Sequence, residues 1–323
     1  MNIAAWQEAA GTEKFQEQMS RLYGAKTGEN TERYLKVLSM FEENFGDNDA
    51  IALFSAPGRT EIGGNHTDHQ LGRVLAASVD MDTIAAAAVT GSSEIRIKSE
   101  GYPMVTIRSD DLEMKPEEKN TTASLIRGVA ARFVQMGCRL QGFDAAVTSS
   151  VLPGSGISSS AAFEVLIGNM INSLFYADQA TAVEIAQISQ YAEREYFGKP
   201  SGLMDQTASS VGNMLTIDFE DNEHPQVRKL NVDFDRYGLA LCIIDSGADH
   251  ADLTDEYAAI PVELKKICQL LGREVLREIP RDEFMAAIPM IREKAGDRAL
   301  LRAIHVYNDN DRVAKQVDAL ETG

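Results

Sequence analysis

The sequence predicts a mixed α and β fold, with helices at both ends and strands through the middle. Three observations carry this. Apolar residues recur at spacings of three and four near both ends of the chain. Short apolar or alternating runs, bounded by glycine and proline, fill much of the middle. The 323 residues are 44% apolar and 25% charged, the balance of a folded chain rather than a disordered one. This length suits one large domain or two ordinary ones.

The elements follow in order. Phe15, Met19 and Leu22, then Tyr34, Val37, Leu38 and Phe41, mark two surface helices. A short strand at 51–55 is broken by Pro57-Gly58. Residues 74–79, 95–98 and 105–107 read as strands, with turns at Gly91 and at Gly101-Tyr102-Pro103. Residues 121–136 form an amphipathic helix, and 143–149 alternate like a strand. The clearest helix begins at Ala161, with Phe163, Leu166, Ile167, Met170, Ile171 and Leu174 on one face. Another helix covers 182–197, and strands are expected at 214–219 and 239–245. From Asp255 onward the pattern is helical. Strand content resumes near 212–222, which marks a change of domain, and no internal repeat or long linker is visible.

Charge excludes several classes of function. Lys and Arg number 31 against 49 Asp and Glu, a net charge of −18. So acidic a chain repels phosphate backbones and anionic lipids, so neither nucleic acid nor a membrane is an expected partner. One locally positive pocket can still take ATP. No apolar run approaches the roughly 18 residues that span a bilayer. The first residues lack both a basic n-region and an apolar h-region. Cys138, Cys242 and Cys268 are odd in number, scattered and free of any CxxC pair, which fits a reducing cytoplasm.

The segment Val151-Leu152-Pro153-Gly154-Ser155-Gly156-Ile157-Ser158-Ser159-Ser160 joins a strand to the start of the strongest helix. Glycines allow a tight turn and close approach to peptide N–H groups. Serines add hydroxyl donors and a helix N-cap, and the positive helix end favours a phosphate. The segment is neither a GxxxxGK[ST] loop nor a GxGxxG loop. A Gly/Ser turn that caps a helix and binds nothing fits the bare segment equally well.

Other stretches decide between these. Residues 153–162 resemble the second signature of the GHMP small-molecule kinases, P-x-G-x-G-L-x-S-S-A-A. Residues 56–69 (APGRTEIGGNHTDH) resemble the galactokinase signature A-P-G-R-V-N-L-I-G-E-H-T-D-Y, and 192–206 (AEREYFGKPSGLMDQ) resemble A-E-x-x-F-x-G-x-P-x-G-I-M-D-Q. Asp245-Ser246-Gly247, His250 and Glu256-Tyr257 are similar to the sugar-facing loop of the same family. With four segments in the family's order, the chain is identified as a member of the galactokinase branch of GHMP kinases from about residue 51 onward.

The resemblance implies an α+β, two-domain GHMP kinase fold. Its N-terminal domain, residues 1–215, would be ribosomal S5 domain 2-like and would bind ATP phosphates and sugar. Its C-terminal domain, residues 216–323, would be ferredoxin-like. The implied activity is ATP-dependent phosphorylation of galactose at its anomeric hydroxyl. Gly154, Ser155, Gly156, Ser158, Ser159 and Ser160 would hold the ATP phosphates, and Ser160 with Glu193 would hold Mg²⁺. Asp205 would act on the sugar hydroxyl as base or orienting acceptor, with Arg59 beside it. Asn65, His66, Asp68, Gly202 and Tyr257 would contact the sugar. On periodicity alone, Glu193 is a solvated helix carboxylate and Asp205 a helix cap.

The chain departs from the family in two ways. Glu61, Gly63, Asn65 and His69 stand where galactokinases usually have Asn, Ile, Glu and Tyr. Asn65 removes a charged sugar acceptor, which leaves another hexose, a pentose or a sugar acid open beside galactose. His66 and His69 lack HExxH spacing and an evident third ligand, so a metal there is not expected. The glycine-rich third signature, G-G-G-F-G-G-like, does not occur. That implies a C-terminal domain cut short, and leaves a weakly catalytic sugar- or nucleotide-binding protein as an alternative.

Overall fold

The computed structural model describes residues 1–152, 154–244 and 254–322; of Asp235, Thr254, Asp255 and Tyr257 it describes the backbone alone. The chain divides into two compact units. Met1–Arg59 with Ser78–Val211 form the first, and Thr60–Ala77 with Gly212–Gly323 form the second. Among the described residues no helix is long and apolar enough to cross a membrane.

The first unit opens with three helices, α1 (Ile3–Ala10), α2 (Glu13–Tyr23) and α3 (Thr27–Phe45). Asn2 and Thr12 cap α1 and α2 by accepting from Ala5 N–H and Phe15 N–H. Two surface helices were expected here, and the difference has a plain cause. The two expected helices are α2 and α3; α1 forms ahead of the first run under its own Asn2 cap, and Met19, Tyr34, Val37, Leu38 and Phe41 are buried rather than lying on the surface. Met19, Tyr34, Val37, Leu38 and Phe41 pack with Ile84, Ala86, Ala88 and Ala146 of the strands below.

Those strands are β1 (Ala52–Gly63), β2 (Arg73–Val89), β3 (Glu94–Ser99), β4 (Val105–Arg108) and β5 (Phe143–Ser149). Within this unit the order is β4-β3-β5-β2. β5 runs antiparallel to β2 from Thr83↔Ser149 to Val89↔Phe143, and parallel to β3. Side chains alternate across the sheet. Ile84, Ala86 and Ala88 meet α1–α3, whereas Ala85 and Ala87 face the opposite layer. That layer contains α4 (Thr122–Gln135), α5 (Ser159–Phe175) and α6 (Ala182–Tyr191), packed through Ile126, Phe133, Leu166, Met170 and Ile188. Two covered faces explain the unbroken apolar run of β2. A π-helical turn, Ala192–Phe197, continues α6, and α7 (Met204–Val211) closes the unit. β1 runs through Pro57, where a break was expected. Proline removes one ladder donor, and β1 tolerates that because among the described residues it pairs with β2 alone.

In the second unit, Arg73–Ala77 of β2 pair antiparallel with β6 (Met214–Asp218), which pairs with β7 (Gln226–Leu230). Three helices follow, α8 (Thr254–Leu270), α9 (Arg281–Ala295) and α10 (Asp297–Thr322). Their core contains Leu264, Ile267, Phe284, Ile291, Leu300 and Val306. The strand expected at 239–245 is not one over its described part, 239–244. Leu239, Leu241, Ile243 and Ile244 are exposed, and no described strand offers them a ladder partner. β-branched residues favour a strand only where a neighbour can pair with them.

Candidate active site

The phosphate-loop candidates lie between β5 and α5. Gly154 and Gly156 have φ of 77° and 76°, and Ser159 opens the helix. Ser155 turns its hydroxyl back to the Leu152 carbonyl, 2.5 Å away. Ser158 is the N-cap residue, yet it makes no side-chain cap. Its φ of 58° is left-handed, a costly state for a residue with a Cβ. Its hydroxyl donates instead to Asp205 Oδ2. The serine expected to cap the helix thus spends its side chain on the candidate catalytic carboxylate.

Arg59 ties this group together. Its Nε donates to Asp205 Oδ1 at 2.7 Å, its Nη1 to the Gly156 carbonyl at 2.8 Å, and its backbone N–H to the Ile157 carbonyl at 3.0 Å. Gly58 makes this approach possible, because a Cβ there would lie 2.8 Å from the Ile157 oxygen. Asp205 sits in the first turn of α7, where a negative charge suits the helix end. Gly202 precedes that helix in the connecting segment. Arg59, Asp205, Gly156 and Ser158 therefore converge within the first unit, although Arg59 and Asp205 are far apart in sequence.

Beside them stands a second group. Ser160 Oγ donates to Glu193 Oε1 at 3.1 Å, and Lys199 Nζ donates to the same oxygen at 2.8 Å. Gln206 Nε2 donates to the other oxygen, Oε2, at 2.8 Å and also to Glu164 Oε2 at 3.2 Å. Glu193 and Glu164 are buried at 2% and 0% exposure. Burial and the neighbouring charge of Glu193 push the Glu164 carboxyl well above the usual range. Burial works against the Lys199 ammonium, but Glu193, Asp205 and Glu164 together raise its pKa. Adjacent hydroxyl and carboxylate oxygens suit a hard divalent cation, which needs few protein ligands when phosphates and water complete its shell. Ser160 and Glu193 fit that role.

The remaining sugar candidates belong to the second unit. His66 N–H donates to Glu61 Oε1 at 3.0 Å, and Asn65 N–H to Asp309 Oδ2 at 2.7 Å. His305 Nε2 lies 2.9 Å from the Asn65 carbonyl. Asp68 lies in a tight turn over Asp68–Gln70, 9% exposed. Burial pushes its carboxyl up, but the His69 hydrogen bond and charge, with the His66 charge, outweigh this and lower it. Asn65, His66 and His69 line a cavity of about 380 Å³ with Ile260, Leu264, Arg298, Leu301, Arg302, His305 and Val306. Asp68 does not line it. The side chain of Tyr257 and the segment 245–250 lie outside the described residues.

Comparison with known proteins identifies the family. The galactokinase galactose-binding signature matches residues 39–89, and the GHMP kinases N-terminal domain matches residues 124–213. The chain is 30% identical over 286 residues to the galactokinase of Streptomyces coelicolor, covering 88% of this chain and 72% of that one. It is 31% identical over 296 residues to the galactokinase of Glaesserella parasuis, with the same two coverages. The chain belongs to the galactokinase branch of the GHMP kinases. As such it is a phosphotransferase with an alcohol acceptor. The crystal structure of Lactococcus lactis galactokinase complexed with galactose superposes with a TM-score of 0.71 at 24% identity, covering 88% of this chain and 74% of that one. That likeness establishes a shared GHMP kinase fold. The galactokinase signature match spans Arg59, Asn65, His66 and Asp68. The N-terminal domain match spans residues 154–160, Glu193 and Asp205.

Four residues at these places went unnoticed in the sequence. Gln206 holds Glu193 from behind and bridges it to Glu164, Lys199 donates to the Glu193 oxygen that Ser160 also reaches, and Asp309 fixes the Asn65 backbone. Glu164 carried a faint signal, since a carboxylate on the apolar face of α5 is out of pattern. Lys199, in an irregular turn, carried none.

Proposed function

We propose that this galactokinase-family chain transfers the γ-phosphoryl group of ATP to the anomeric hydroxyl of galactose, giving galactose 1-phosphate and ADP. The observation that carries this is the Arg59 bridge. One guanidinium touches both the acceptor-side carboxylate of Asp205 and the Gly156 carbonyl of the phosphate loop. A transferring phosphoryl group needs such a positive group between its two ends.

In this reading the peptide N–H groups and hydroxyls of residues 154–160 receive the ATP phosphates. Ser160 and Glu193 would hold Mg²⁺, which would supply positive charge to the nucleotide phosphates. Asp205 orients the sugar hydroxyl and takes its proton as the C1 oxygen bonds to the γ-phosphorus. The bond to the β–γ bridging oxygen breaks, and ADP leaves with that electron pair. Arg59 neutralises charge on the phosphoryl group in flight. Asn65, His66, Asp68, Gly202 and Tyr257 are assigned to the sugar. Asn65 offers an amide donor where the family usually has a carboxylate. The partners are thus the sugar and ATP, and the setting is the cytoplasm expected from the scattered cysteines.

³¹P NMR of the chain with Mg-ATP and a panel of free sugars tests the reading. A galactose 1-phosphate resonance is expected. Turnover of a different sugar with none of galactose would overturn the substrate, and no sugar phosphate at all would overturn the kinase.

A further inference from the structure

The loop between β5 and α5 brings no cation of its own, since residues 151–162 contain neither Lys nor Arg. Arg59 is committed to Asp205 and to the Gly156 carbonyl. Lys199 is a second cation at this place, and the backbone is shaped to deliver it. The π-helical turn ends at Gly198, whose φ of 92° reverses the chain. Gly198 N–H and Lys199 N–H then both donate to the Glu193 carbonyl at 3.0 Å. This fold-back returns the Lys199 side chain to the carboxylate of the residue that holds its own backbone.

The position of the ammonium is informative. It lies 2.8 Å from Glu193 Oε1, the oxygen that also accepts from Ser160. A lysine cation therefore occupies the oxygen that a divalent cation would use. The lysine side chain is about half exposed while the carboxylate is buried. Solvent reaches the ammonium, but a buried carboxylate can release it only when another cation takes its place. Lysine also suits exchange, with a flexible stem and three rotatable donors on a compact charge.

We propose that Lys199 is a phosphate-binding residue of this enzyme: its ammonium rests on Glu193 in the free protein and passes to the nucleotide phosphates when Glu193 exchanges it for a divalent cation. Every charge keeps an opposite partner before and after the exchange. The free protein thereby avoids a bare buried carboxylate, which would be costly. The proposal rests on the kinase reading above.

Calorimetric titration with ATP in saturating Mg²⁺ and without sugar, for wild type, K199M, K199Q and K199R, tests it without catalysis. Wild type binds ATP there, and both neutral variants bind it about tenfold or more weakly, the loss expected for one charge-assisted contact. K199R keeps the charge and stays close to wild type. Electron paramagnetic resonance with Mn²⁺ alone gives the opposite sign, because the neutral variants bind Mn²⁺ more tightly once Glu193 has lost its competitor. Unchanged ATP affinity in saturating Mg²⁺ for folded K199M and K199Q overturns the proposal. So does a parallel fall in Mn²⁺ affinity and thermal stability, which would mark a structural ion pair. A wild-type protein that binds no ATP under any condition overturns the kinase reading itself, a separate result.

Discussion

Replacing Glu164 with glutamine should stabilise the first unit, by an amount that grows with pH. Glu164 is fully buried, accepts one hydrogen bond from Gln206, and leaves its Oε1 without a partner. Burial and the nearby charge of Glu193 raise its pKa well above the ordinary value. The native state therefore holds this proton more tightly than the unfolded chain does. For a carboxyl raised in this way, the stabilisation is complete below the unfolded pKa of about 4.3. It declines as pH rises from there to the folded pKa, by about 1.4 kcal/mol per pH unit. Glutamine keeps an oxygen for Gln206 and carries no proton to lose. The two proteins should be closest near pH 4 and diverge above it. With a urea m-value of about 3 kcal/mol per molar, the midpoint gap widens by roughly 0.5 M per pH unit. The lone tryptophan, Trp6, reports the right region, since it lies in α1 of the same unit and donates to the Ile51 carbonyl at 2.9 Å. Urea unfolding followed by its fluorescence, from pH 4.5 to 7.5, measures the gap. Parallel midpoints across that range would refute a raised Glu164.

Asp205→Asn should lower kcat by about 10²- to 10⁴-fold, the usual worth of a positioned acid–base group, with far-UV circular dichroism unchanged; retained turnover would remove Asp205 from the chemistry. Asp68→Asn should destabilise the protein at pH 7. A lowered carboxyl stabilises above the unfolded value of about 3.9 and loses that effect as pH falls through the folded one, so the gap to wild type must close in acid. A gap that widens on acidification would contradict the sign. Tyr23→Phe removes a buried hydroxyl that donates to Asp82 and lies 3.2 Å from the Tyr34 hydroxyl. Asp82 keeps Arg33 and Ser55, so a loss of about 1–3 kcal/mol in urea unfolding is expected, and no loss would mean the cluster repacks freely.

Periodicity was most legible where an element buries one clear face. The helix beginning near Ala161 and the strand at Phe143–Ser149 match the structure closely, because their apolar faces are set by neighbours on known sides. It failed where pairing or capping decides. The run 239–244 looks like a strand and has no described partner, while β7 is mostly polar and is a strand because β6 lies beside it. Pro57 signals a break that a strand paired, among the described residues, with β2 alone does not need. At the site, motif order pointed to Arg59, Ser160, Glu193 and Asp205. It could not reveal that Ser158 forgoes its cap to reach Asp205, or that Gln206 bridges two buried carboxylates. These are facts of chain return over tens of residues, and no local pattern encodes them.

A chain of net charge −18 that binds a polyanion must solve an electrostatic problem locally. Adding free lysines around the loop would be one solution, and this chain does not use it, since residues 151–162 are uncharged. Two cations near it are each held on a carboxylate, Arg59 on Asp205 and Lys199 on Glu193. Each of these pairs is neutral before the nucleotide arrives. The two pairs differ in burial. Arg59 is 11% exposed and anchored to the loop carbonyl as well, which suits a fixed guanidinium. Lys199 is 54% exposed on one oxygen, which suits an exchangeable ammonium. Fixed and exchangeable charge are therefore divided between two side chains, and ionic strength should act on them unequally. Rising salt screens the exposed pair first, so it should weaken nucleotide binding well before it disturbs the Arg59–Asp205 contact on which phosphoryl transfer depends.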